Sequence, residues 1–78
     1  MTTRPDKQIS RVRAREIGRG FRDIRERAGL SQYDIGPLSQ ATVYNLEHGW
    51  TQPSFYILDN YVRIFGVEEV EKVVGWRV

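Results

Sequence analysis

The sequence contains no cysteine, only one histidine and no long hydrophobic run. Without cysteine, neither a disulfide framework nor a thiolate metal site can stabilise the fold. No apolar stretch approaches the roughly 20 residues that a membrane-spanning helix needs, and no apolar signal region follows the N-terminus. These shortages predict a soluble cytoplasmic protein that is held together by packing alone.

The residues that are present fit one small folded domain. The chain has 78 residues, of which 40% are hydrophobic and 28% are charged. A chain of this length buries a single core, and this composition is typical of globular rather than disordered proteins. We therefore expect one domain with no separate effector-binding unit.

The net charge of +2 is unevenly distributed along the chain. Residues 1–27 contain nine basic and four acidic side chains, a net charge of +5, whereas the rest contains three basic and six acidic ones, a net charge of −3. A basic segment favours a polyanionic partner, although an arginine-rich helix is often only a solvated face.

The apolar residues of the first long segment predict a helix. They recur at helical spacing at Ile17, Phe21, Ile24 and Ala28. Ser10 is a candidate N-cap and Gly29 a candidate terminator. Gly18 and Gly20 weaken such a helix, which indicates either close packing or a later start. We interpret residues 1–10 as a flexible basic arm.

Shorter helices follow. Ser31 is a candidate cap for a very short second helix that Gly36-Pro37 ends, and Ser39 caps a third that extends to His48. A fourth, with the strongest apolar stripe, follows Pro53-Ser54 and ends at Gly66. The valines of 67–74 favour a helix but also suit a strand, and the sequence does not decide the secondary structure of the last four residues. The expected fold class is all-α, a compact bundle of four to five helices.

The helix over residues 40–48 has a polar face that suits recognition of a groove. Its spacing buries Val43 and Leu46, whereas the exposed positions are Gln40, Ala41, Tyr44 and Asn45. A short helix fits the DNA major groove, and amide side chains can donate to and accept from adenine together. Such residues are also ordinary on protein surfaces.

The segments LSQ, SQATVYNLEHG, QPS and IFGV, in this order and spacing, resemble the helix-turn-helix domain of the phage Cro and repressor class, the XRE family. The resemblance covers about residues 16–67 and implies a lambda repressor-like fold for residues 11–67, with 68–78 as a C-terminal helix or tail. The chain is about three residues shorter than the family's usual spacing. The loss falls in the second helix, where we expect a single turn or a loop anchored by Ile35 and Leu38.

The resemblance also implies roles for individual residues. Gln40, Ala41, Tyr44 and Asn45 would read bases, with Gln40 the most specific reader, whereas Glu47 would be structural. The residues expected to contact phosphate are Gln32, Thr42, His48, Trp50 and Gln52, together with three basic residues of the first helix, Arg11, Arg13 and Arg15. Only a few of the arginines can face DNA from one helix, and others would pair along it, for example Asp23 with Arg27.

Two of these residues have structural alternatives. His48 follows the end of the 40–48 helix, where a cation is favourable and hydrogen bonds to the last carbonyls are common. Trp50 is either a hydrophobic lid on the core or an exposed packing element. Val70, Val74 and Trp76 are the apolar residues expected either to form a dimer contact or to cap the core of one chain.

The sequence as a whole predicts a sequence-specific regulator of transcription, a repressor that binds double-stranded DNA as a homodimer. We expect this protein to be associated with the nucleoid of a bacterial or phage-infected cell. We expect no enzyme activity, cofactor, metal or small-molecule substrate, since no catalytic or metal-binding spacing occurs and the acidic run at 68–71 suits a solvated face. The alternative is a protein-interaction module on the same scaffold, such as a phage or plasmid inhibitor or an antitoxin.

Overall fold

The computed structural model describes residues 10–75, and this part of the chain forms four α-helices and no strand. The helices are α1 (Arg11–Arg27), α2 (Gln40–Glu47), α3 (Phe55–Phe65) and α4 (Val67–Val74). The expected all-α class is confirmed, and the valine-rich segment is a helix. Most of the predicted arm at 1–10 and the last three residues, including Trp76, lie outside the described residues.

Helix α1 begins and ends where its local sequence indicates. The Ser10 hydroxyl accepts a hydrogen bond from the Arg13 backbone N–H at 3.1 Å. At the other end Gly29 adopts a φ of 74°, and the Leu30 N–H donates to the Arg25 carbonyl at 3.1 Å. This Schellman termination places Leu30 against the core.

Of the two expectations for the second helix, a single helical turn or a loop, the structure shows the loop, because residues 30–39 form turns only. The cap at its start nevertheless forms: the Ser31 N–H donates to Asp34 Oδ2 at 2.7 Å, and the Asp34 N–H donates to the Ser31 carbonyl at 3.0 Å. Gly36, at a φ of 53°, and Pro37 prevent propagation. Ile35 and Leu38 are buried and anchor the loop, as expected.

The caps of α2 and α3 are serines, and the cap at Ser39 confirms the prediction. Ser39 Oγ accepts from the Thr42 N–H at 3.1 Å, and Ser54 Oγ accepts from the Ile57 N–H at 3.2 Å. Helix α2 ends at Glu47, one residue before the predicted His48, and the chain then turns at Gly49.

One core joins all four helices and the loop. It consists of Ile17, Phe21, Ile24, Ile35, Leu38, Val43, Leu46, Ile57, Tyr61 and Val70. Gly18 allows the closest approach, since a Cβ there would collide with the backbone carbonyls of Leu46 and Glu47. The prediction of close packing at Gly18 and Gly20 is confirmed, because a Cβ at Gly20 would meet Val73 at 2.8 Å.

Helix α4 packs on α1 and α3, which corrects one expected dimer contact. Val70 is only 2% exposed and belongs to the core of the single chain, so it offers no surface to a second copy. Val74 is half-buried against the same core. Its carbonyl accepts a hydrogen bond from Arg13 Nη2 at 2.6 Å, which ties the end of α4 to the start of α1.

Candidate nucleic-acid interface

Helix α2 has a buried face and an accessible face. Val43 and Leu46 are buried, as expected. On the opposite side, Ala41 and Tyr44 are exposed and Gln40 and Asn45 are half-buried. The four predicted base-reading residues therefore lie on the accessible side of one short helix.

A polar network leads from this face into the core. Gln40 Nε2 donates to Gln32 Oε1 at 2.6 Å, and Gln32 Nε2 donates to Glu47 Oε1 at 3.0 Å. Gln32 lies in the loop before α2, so the network connects the loop to both ends of the helix. We refer to Gln40, Gln32, Glu47 and Arg25 as the amide network.

The inner end of the amide network is a buried ion pair. Arg25 Nε and Nη2 donate to the two carboxylate oxygens of Glu47 at 2.6 and 2.9 Å, and Arg25 Nη1 donates to the Leu30 carbonyl at 2.8 Å. The hydrogen bonds to Glu47 raise the pKa of Arg25 above its usual value and outweigh the opposite effect of burial. The expected structural role of Glu47 fits this position.

Sequence reasoning missed the role of Arg25. The spacing of Arg25 could have revealed this role, because Arg25 lies four residues after the core residue Phe21 and next to Ile24, on the inner side of α1. A buried arginine needs an anionic partner, and Glu47 is the only acidic residue of α2.

The ion pair fixes the orientation of both glutamine amides. A carboxylate only accepts hydrogen bonds, so the Gln32 amide nitrogen faces Glu47 and its oxygen faces Gln40. Gln40 must therefore direct its nitrogen towards Gln32. What remains to Gln40 is one N–H and the carbonyl oxygen, a donor and an acceptor side by side.

An aromatic cluster of Tyr44, His48 and Trp50 lies at the C-terminal end of α2. The ring centroids are 4.0 Å apart for Tyr44 and His48, 5.7 Å for Tyr44 and Trp50, and 5.4 Å for His48 and Trp50. The interpretation of Trp50 as a lid on the core is wrong, because its side chain is 61% exposed. His48 follows the last turn, and its Nδ1 lies 2.9 Å from the Tyr44 carbonyl oxygen, as the structural alternative expected.

The arginines of α1 divide into engaged and unengaged groups. Arg22 pairs with Glu26 at 3.0 Å, and the predicted pair of Asp23 and Arg27 forms at 3.1 Å. Three others make no ion pair or side-chain hydrogen bond within residues 10–75 and follow one stripe of the helix at four-residue intervals: Arg11, Arg15 and Arg19.

This arginine stripe runs beside the end of α2. A Cβ on Gly49 would lie 2.8 Å from the Arg15 Cα, so the backbones touch there. Arg13 lies outside this stripe, and its side chain donates to the Val74 carbonyl at the end of α4. Of the other expected phosphate contacts, Thr42 is half-buried with its hydroxyl 2.9 Å from Ser39 Oγ, and Gln52 is exposed between α2 and α3.

The chain matches no protein-family model, no curated protein and no solved structure. Within residues 10–75, no helix is long and apolar enough to cross a membrane. The same stretch has no group of three or more His, Asp or Glu side chains placed to hold a metal ion.

A second surface feature lies away from the amide network. It is a largely apolar groove of about 540 Å³, lined by Arg13, Ile17, Pro53, Ser54, Phe55, Leu58 and Val74. Phe55 at its edge is 82% exposed, the highest value among the large hydrophobic residues described.

Proposed function

We propose that this protein is a sequence-specific regulator of transcription that binds double-stranded DNA and reads the major groove with α2. The observation that carries the proposal is the amide network, which holds the Gln40 amide in one orientation at the start of an accessible helix. In this proposal the fold is a helix-turn-helix of the phage-repressor type, in which the loop at 30–39 replaces the first helix of the motif.

The oriented Gln40 amide suits adenine. Its oxygen can accept from the adenine N6 amine, while its remaining N–H donates to N7, the bidentate contact that distinguishes adenine in the major groove. Ala41, one residue further, offers a methyl group to thymine. Tyr44 and Asn45 extend the same face by another turn.

The surroundings of α2 supply contacts to phosphate. The arginine stripe runs beside the C-terminal end of α2 and carries three positive charges that no described acidic side chain neutralises. Thr42, Gln32 and Gln52 add polar groups near the same helix. Phosphate contacts of this kind fix register and supply affinity without sequence information.

We further propose that two copies act together on DNA, as a repressor in the cytoplasm. One short helix contacts only a few base pairs, so specific recognition needs two half-sites about one helical turn apart. Val74 and Trp76 remain the expected dimer residues. Sedimentation of the free protein and of its complex with DNA measures this stoichiometry directly.

Selection of bound sequences from random duplex DNA tests the proposed function. We expect a consensus with an adenine whose preference disappears in Gln40→Ala, at a cost of about 1–3 kcal/mol for the preferred site only. Glu68→Ala, on the exposed side of α4, is the control and should leave the consensus unchanged. If the wild-type chain does not bind mixed-sequence duplexes even at low salt, the proposal fails.

One observation favours a second candidate, a protein-interaction module on the same scaffold. The apolar groove beside the highly exposed Phe55 is a feature that DNA recognition by α2 does not use. Absence of DNA binding in the assay above would make this candidate, an inhibitor or antitoxin, the one to pursue.

A further inference from the structure

The aromatic cluster is built onto a rigid helix end. The Gly49 N–H donates to the Leu46 carbonyl at 3.1 Å, and the Trp50 N–H donates to the Asn45 carbonyl at 2.9 Å, a complete Schellman motif. In the same motif at the end of α1, the residue equivalent to Trp50 is Leu30, which packs on the core. Trp50 instead leaves most of its indole in solvent, where it adds little to the stability of the domain.

The hydrogen bond made by His48 determines which ring nitrogen faces outward. The Tyr44 carbonyl oxygen only accepts, so the proton in this 2.9 Å contact is on Nδ1. Nε2 is then a lone-pair acceptor in the neutral ring. It can meet a phosphate oxygen, itself an acceptor, only after the ring takes up a second proton.

A positive charge at the position of the His48 ring would have favourable neighbours on two sides. The ring follows the carbonyl end of α2 and lies against the rings of Tyr44 and Trp50, and both arrangements stabilise a cation. The charged groups nearby are Arg15, contributed by α1 beside Gly49, and Glu47, whose carboxylate turns inward to Arg25. A bound phosphate would offset the repulsion between Arg15 and the protonated ring.

We propose that the aromatic cluster binds a phosphate of the DNA backbone through Nε2 of a protonated His48, so that binding of duplex DNA takes up one proton. This inference rests on the proposed function and adds to it a named contact atom and a dependence on pH. Trp50 and Tyr44 position the ring and exclude water from one side of the contact.

Because the chain contains one histidine, the proposal can be tested on the full chain with DNA of any sequence. The probe is a labelled mixed-sequence duplex of about 20 base pairs, two helical turns. Affinity should be about tenfold higher near pH 5.5 than near pH 7.5, a range in which histidine is the side chain whose charge normally changes. The slope of log K against log salt should be steeper by about 0.9 at the lower pH, as for one additional phosphate contact.

Two variants isolate the contact. His48→Gln should lose both the pH dependence and the extra salt slope. Tyr56→Phe, on an exposed part of α3 outside both the aromatic cluster and the proposed base-reading face, should keep both, and it serves as the control.

The outcomes separate this inference from the proposed function. Wild-type binding that is equal at the two pH values overturns the inference but leaves the proposed function in place, as does a pH dependence that His48→Gln retains. Failure to bind the duplex at either pH, at low salt, overturns both.

Discussion

At the scale of single residues, two buried polar groups differ in whether they have hydrogen-bond partners. Glu47 has all its strong hydrogen bonds supplied by Arg25 and Gln32. The Tyr61 hydroxyl, in contrast, is buried without a hydrogen-bond partner among the described residues. Burial raises the pKa of the Tyr61 phenol accordingly. The centroid of the Tyr61 ring lies 4.4 Å from that of Phe21, so the ring packs in the core and does so without any contribution from the hydroxyl.

We therefore expect Tyr61→Phe to leave the free energy of unfolding unchanged or to raise it by about 1 kcal/mol. The substitution keeps the ring and removes a polar group whose burial costs free energy without a compensating bond. Urea denaturation followed by circular dichroism measures the difference. A loss of stability greater than about 1 kcal/mol would mean that the hydroxyl makes a stabilising hydrogen bond.

A second prediction separates the structural and orienting roles of the ion pair. Glu47→Leu leaves Arg25 buried without a partner and should cost about 3–5 kcal/mol. The double variant Arg25→Met with Glu47→Leu should recover most of that stability, because a buried pair can be replaced by packed apolar side chains.

DNA selection with the double variant then tests the orienting role. Without the Glu47 carboxylate, nothing fixes the direction of the Gln32 amide, so Gln40 should lose its preference for one base while general affinity remains. A folded double variant with the wild-type consensus would show that the amide network does not orient Gln40.

At the scale of helices and loops, the local signals in the sequence identified where α1 and α2 begin and where α3 ends. Ser10, Ser39 and Ser54 cap the helices, because a serine hydroxyl needs only the first turn to act on. The direction of the Arg25 side chain depended instead on a tertiary contact, the ion pair with Glu47. A capping signal at Ser31 cannot by itself overcome Gly36 and Pro37, whose backbone preferences end a helix before it propagates.

The loop that replaces this helix should respond to acid. The hydrogen bond donated by the Ser31 N–H lowers the pKa of Asp34, and a second one with the Ser31 side chain adds to the effect. A lowered pKa in the folded state means that Asp34 stabilises the fold above about pH 4, its unfolded value, and that this contribution disappears as pH falls through the lower folded value.

Asp34→Asn is the variant that tests this, since the amide oxygen can still accept from the Ser31 N–H but does not titrate. We expect the urea midpoint of the wild type to fall more steeply below about pH 4 than that of the variant. Parallel curves would indicate that the contact between Asp34 and Ser31 does not stabilise the folded loop.

At the scale of the whole molecule, the basic segment found in the sequence becomes a defined surface. Several arginines of α1 are neutralised within the protein: Arg22 and Arg27 by carboxylates on the same helix, and Arg25 by Glu47. The sequence alone established the excess of charge, but only the packing of α1 on α2 identifies the arginine stripe as its unengaged part.

The division of the arginines leads to a prediction about the salt dependence of DNA binding. Each phosphate contact contributes about 0.9 to the slope of log K against log salt. Replacing Arg11, Arg15 and Arg19 together with glutamine should reduce this slope by up to about 2.7 between roughly 50 and 200 mM salt. The double variant Arg22→Gln with Arg27→Gln lies on the same helix and serves as the control; it should change the slope little, because those side chains are paired with Glu26 and Asp23. Equal reductions per arginine in both variants would show that the ion pairs within α1 do not keep Arg22 and Arg27 from phosphate, and the division into paired and unpaired arginines would then have no consequence for DNA binding.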